Sequence, residues 1–134
     1  MRPRRLVRLA VALLFAATVF DCASGADDGF AKWWPQFQAA VKSGDAKAIA
    51  HGAPFPMDWE LGKVRKIDTE SDFLAHFSTY FLADMRRAVA TQKPVSIPDN
   101  KYMIFWHARG NEYSLYFKAQ GGSWALFGLS EGPP

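Results

Sequence analysis

Residues 101–129 read KYMIFWHARGNEYSLYFKAQGGSWALFGL, and this stretch decides the fold. Three aromatic-rich runs, 101–107, 112–118 and 123–129, are separated by Arg109-Gly110-Asn111 and Gln120-Gly121-Gly122. Glycine-bearing connections this short join strands only as hairpins, so the segment is predicted to be a three-stranded antiparallel meander. Along the first strand Tyr102, Ile104 and Trp106 share one face while Met103 and Phe105 share the other. Side chains alternate across a sheet, so both faces are apolar and helices on one side leave the second uncovered. The upstream hairpin, a second copy of the chain or a ligand would have to cover it.

Upstream, Pro94 and Pro98 set the meander off from residues 69–90, which carry a helical period. Thr69-x-x-Asp72 fits a capping pattern, and Leu74, Phe77, Phe81, Met85 and Ala88 make a stripe widened by Phe73 and Tyr80. Glu70 and Asp72 at its start and Arg86 and Arg87 near its end suit the helix dipole. One long helix centred on Phe77 is therefore expected. Residues 57–66 read as a hairpin with Leu61-Gly62 as its loop, which sets Glu60 opposite Lys63, Trp59 opposite Val64 and Asp58 opposite Arg65. Earlier still, Asp28 can cap a helix whose stripe is Phe30, Trp33 or Trp34, Phe37 and Val41, with Gly44 as its stop. Pro35 either belongs to the first turn of that helix or kinks it near Lys32. Asp45 caps a short second helix that ends at Gly52.

Of 134 residues, 49% are hydrophobic and 15% aromatic, which excludes a disordered or collagen-like chain and allows one core. The net charge of +3 sits wholly in residues 1–26, where Arg2, Arg4, Arg5 and Arg8 face only Asp21. The remainder is balanced and has no basic stripe, which argues against a nucleic-acid partner. An arginine-rich start, an apolar run over residues 9–20 and the small residues Ser24-Gly25-Ala26 read as a signal peptide cleaved before Asp27. The domain proper is then 27–134. The apolar run is shorter than the roughly 20 residues a membrane helix needs, so stable membrane insertion is not expected. Lipoprotein processing at Cys22 is less favoured, because Asp21 stands where a lipobox has a small residue. Arg4-Arg5 matches the twin-arginine export pattern only in part. Cys22 is the only cysteine, so the domain is expected to have neither a disulfide nor a thiol site.

Candidate chemistry is sparse. Gly128-Leu129-Ser130-Glu131-Gly132 matches G-x-S-x-G, but a nucleophile elbow needs a following helix and a later acid and histidine. It reads as a strand end. His51, His76 and His107 have no metal-binding spacing, and His76 is four residues after Asp72, as in a solvated helix pair. Asp58 and Glu60 share a strand face, but the hairpin gives each a cation, which lowers rather than raises a carboxyl pKa. No metal and no cofactor is predicted. The aromatics exceed what a core of this size needs, and Tyr102, Trp106, Tyr116 and Trp124 are the candidate interaction surface.

Trp34, Phe37, Ala40-Val41 and Gly44-Asp45 within residues 30–45, then Phe55-Pro56, then Phe73 and Phe77, then Gly122-x-Trp124, are similar to the pattern in small secreted bacterial proteins of unknown function. These resemble the nuclear-transport-factor-two-like, or cystatin-like, superfamily. The resemblance covers nearly all of residues 27–134 and implies α+β architecture: amino-terminal helices packed on a curved antiparallel sheet, forming a cone. It does not choose among isomerases, cyclases, ligand binders and interaction modules. Its enzymes place an acid or histidine inside the cone, and the nearest candidates here are His107, Asp99 and Tyr102. The expected function is a periplasmic or secreted binding domain, its partner a protein or an apolar small molecule, or a second copy paired through the sheet. The alternatives are an isomerase, cyclase or hydrolase using the cone, and an inhibitor or immunity protein acting on an envelope enzyme through residues 51–56.

Overall fold

The computed structural model describes residues 25–134, so the expected signal segment and Cys22 lie outside the described residues. Helix α1 (Gly25–Ser43) buries Phe30, Trp34, Phe37 and Val41, with Trp33 only half-buried. Asp28 lies inside this helix and is not its cap. Pro35 also lies well inside, on the exposed side, so the helix runs through it at the cost of one backbone donor. Gly44, at φ +70°, makes the left-handed stop. Asp45 then caps α2 (Ala46–Ala50), its carboxylate accepting from Ala48 N–H at 3.1 Å.

The hairpin β1 (Met57–Leu61) and β2 (Val64–Ile67) differs in register from the expected one. Leu61 pairs with Val64, so the turn is Gly62-Lys63, and Asp58 lies opposite Lys66. The cause is Gly62, whose φ of +59° suits the first central position of a tight hairpin turn. Arg65 is no partner of Asp58 in this register; its guanidinium donates to the Gly62 and Val64 carbonyls.

The expected long helix is three: α3 (Glu70–Ala75), α4 (Phe77–Tyr80) and α5 (Ala83–Thr91). Thr69 caps the first as predicted, accepting from Asp72 N–H at 3.1 Å. In one straight helix Phe73, Phe81, Met85 and Val89 would fan over about 160° of azimuth. Breaks at His76 and at Phe81-Leu82 turn all four inward, each 0–1% exposed. Leu74, expected in the stripe, is exposed, and Phe77 is only half-buried. At the second break the Trp59 indole donates to the Tyr80 carbonyl at 3.1 Å. In an unbroken helix that carbonyl would accept from the backbone four residues on.

The meander is present as β4 (Lys101–Ala108), β5 (Asn111–Gln120) and β6 (Ser123–Gly132). A short strand, β3 (Val95–Ile97), precedes it, and the hairpin joins the same sheet, so six strands run in the order β2-β1-β6-β5-β4-β3. One pair departs from the expected antiparallel sheet: β1 lies parallel to β6, with Trp59 beside Leu129. The result is α+β, helices followed by a curved, unclosed mixed sheet. Its concave side is filled. Trp59, Phe73, Phe81, Tyr113 and Phe117 are among the largest fully buried side chains, and Phe30 stacks on Tyr102 with centroids 3.8 Å apart.

Candidate functional site

The three residues proposed for chemistry are not brought together. His107 is exposed on the outer face of the sheet, its Nε2 3.2 Å from Glu112, its cross-strand partner. Asp99 is exposed in the turn between β3 and β4, at φ +69°. Tyr102 points inward, stacked on Phe30 and edge-on to Trp124. Of the aromatics expected at a surface, Trp106 and Trp124 are buried and Tyr102 is half-buried on the inner side. Tyr116 lies on the outer face, where it lines a recess with Asp58, Glu60, Lys101, Phe127 and Ser130. His51 is exposed beside a groove between α1 and α2, and His76 bonds Asp72 at 2.9 Å. Among the described residues no three His, Cys, Asp or Glu side chains form a metal-holding group.

The G-x-S-x-G match has a structural explanation. It lies on β6, with Ser130 opposite Ser114 and Glu131 opposite Tyr113. Gly128 is small because the backbone of β1 passes over it: a Cβ there would stand 2.9 Å from the Asp58 carbonyl oxygen.

Sequence reasoning missed a polar cluster at one end of the sheet. Arg109-Gly110 turns β4 into β5 with both residues at positive φ, +51° and +77°, the signature of a tight hairpin turn. The Arg109 guanidinium lies 4.7 Å from the centre of the Tyr113 ring and bonds Asp84, in the first turn of α5. Asp84 also accepts from the Trp106 indole at 2.6 Å. Tyr113 donates to Glu131 Oε2 at 2.6 Å, and the same oxygen accepts from Gly62 N–H at 3.2 Å. An indole, a guanidinium, a phenol and two carboxylates thus link the turns of two hairpins to α5. They border a recess of about 370 Å³ lined by Leu61, Gly62, Leu82, Arg109, Asn111, Tyr113 and Glu131. The sequence signals were faint: an arginine-glycine turn, and an acid paired with a tyrosine across strands.

The electrostatics keep both acids ionised. Burial pushes the Asp84 carboxyl up, but the bonds from Arg109 and Trp106 outweigh it and hold it below its ordinary value. The Tyr113 hydroxyl, then the Gly62 N–H, hold Glu131 below its own. Carboxylates lowered in this way accept hydrogen bonds well and are poor proton carriers near neutral pH. The cluster braces the two hairpin turns against α5.

The outer face offers a second surface. Phe105 is 41% exposed there, alongside half-buried Met103, Tyr116 and Phe127. Lys101 and Lys118 lie over the Phe127 ring at 5.3 and 5.2 Å. Asp58 and Glu60 stand across the same recess.

No family model matches the chain, and neither does any curated protein. The chain is similar to a crystal structure described as an NTF2-like protein with a cystatin-like fold, from Novosphingobium aromaticivorans, at 9% identity and a TM-score of 0.45 over 81% of each chain.

Proposed function

We propose that the chain is an exported binding domain, periplasmic or secreted, whose working surface is the outer face of the sheet. The carrying observation is the contrast between the two sides. The concave side is filled by buried aromatics, and its bordering acids are held ionised, whereas the convex side leaves Phe105 uncovered among other apolar groups. The occupant is a second copy of the chain. A twofold interface must be self-complementary, and this face carries its own opposite charges: Asp58 and Glu60 on β1, Lys118 and Lys101 on β5 and β4. A twofold axis near β6 sets the acids of one copy against the lysines of the other.

Sedimentation analysis at micromolar concentration tests this. The wild type is expected to dimerise, and Phe105→Asp to be a folded monomer by circular dichroism. Lys118→Glu should weaken the dimer and Asp58→Lys in the same chain should restore it. A monomeric wild type, or a dimer indifferent to Phe105→Asp, overturns the assignment. Mass spectrometry of the protein from its native envelope tests export: a chain beginning at Asp27 is expected, and an acylated Cys22 would show anchoring instead.

A further inference from the structure

The recess at the sheet end carries a reading separate from the outer face. Its two walls have opposite charge. On one stand Arg109, which has five N–H donors of which Asp84 engages one, on Nη1, and the amide of Asn111. On the other stands Glu131, whose two hydrogen bonds both go to Oε2. The floor between them is apolar, formed by the half-buried Leu61 and Leu82. Tyr113 sets the span, since Arg109 lies over its ring while its hydroxyl reaches Glu131. The opposed charges therefore stand about a phenol's length and one hydrogen bond apart. A small molecule with a carboxylate and an ammonium on one carbon fits that span, with one hydrogen bond at each end. A volume of about 370 Å³ is enough for such a molecule with an apolar side chain laid on the floor.

We infer that this recess binds a free α-amino acid with an apolar side chain, its carboxylate on Arg109 and Asn111 and its ammonium on Glu131. Both contacts are charge-assisted, and the pairing asks for the two charges together. The cluster's two carboxylates, Asp84 and Glu131, are balanced by Arg109 and by Arg65, which also lies within electrostatic reach of Glu131. A ligand with either charge alone is therefore accepted less well than one that carries both. That requirement separates a free amino acid from a peptide terminus, which presents only one of the charges.

The test is an amide chemical-shift titration of the ¹⁵N-labelled protein with L-leucine, leucinamide and N-acetyl-leucine. Millimolar L-leucine is expected to shift the Gly62, Asn111 and Glu131 amides. Leucinamide and N-acetyl-leucine should each bind roughly tenfold more weakly. Arg109→Gln and Glu131→Gln should each abolish the leucine response, with the remaining amide spectrum showing the fold retained. Absence of shifts at these amides in the wild type overturns the inference, and so does equal binding of leucine and either blocked analogue. Because the readout is local to the recess, its outcome is independent of whether the outer face forms a dimer.

Discussion

Replacing Gly128 by alanine should unseat the hairpin from the meander. The added Cβ would lie 2.9 Å from the Asp58 carbonyl oxygen, and that oxygen belongs to backbone, which cannot rotate away as a side chain can. A relaxed carbon-to-oxygen contact across a sheet is about 3.3–3.6 Å, so β1 must retreat from β6 by about half an ångström. It has little room to do so, because the next residue, Trp59, is completely buried and paired with Leu129. Overpacking of this kind costs about 1–3 kcal/mol. At about 4–8 °C per kcal/mol for a domain near this size, Tm should fall by about 5–20 °C. Urea unfolding supplies the measurement: the midpoint falls while m is unchanged, as expected when stability alone is altered. Gly132→Ala on the same strand is the control, since a Cβ there meets nothing within 4 Å. Were the two alanine variants equally stable, the close approach of β1 and β6, and with it the parallel pairing, would be refuted.

Two further expectations concern the helices and the acids. Phe73→Ala should cost about 3–5 kcal/mol and the half-buried Phe77→Ala about 1–2 kcal/mol in urea unfolding; the reverse order would contradict the break at His76. Asp84 has a lowered carboxyl pKa in the folded protein, so in acid the unfolded chain binds the proton more readily and stability rises with pH. Its contribution is complete above the unfolded value of about 3.9 and is lost as pH falls through the lower folded value. Asp84→Asn should therefore flatten the urea midpoint against pH below about pH 4, and unchanged slopes would refute the role given to Arg109 and Trp106.

What the sequence disclosed followed the range of the interaction. The meander was legible because alternation and glycine turns are local, and the Thr69 and Asp45 caps because each cap acts within three residues. The parallel pair was not, since Trp59 and Leu129 are distant in the chain and nothing in either segment names the other. The helix breaks escaped for a similar reason. His76 and Leu82 are compatible with helix, and it is burial of Phe73 and Val89 on one curved surface that bends the path. The polar cluster unites Gly62, Asp84, Arg109, Tyr113 and Glu131 from two hairpin turns, one helix and two strands, and no spacing rule spans them. Trp106 and Trp124 looked like surplus aromatics because composition cannot tell which face of a strand turns inward.

Strand β6 lies between β1 and β5, and both halves of the sheet depend on it. It is also synthesised after every element it joins. A ribosome that has delivered the helices and the first hairpin has released chain with no wall to lean on, whatever its local propensities. Joining the hairpin to the meander must wait for β6 to be made, so the single six-stranded sheet is completed late in the life of the nascent chain.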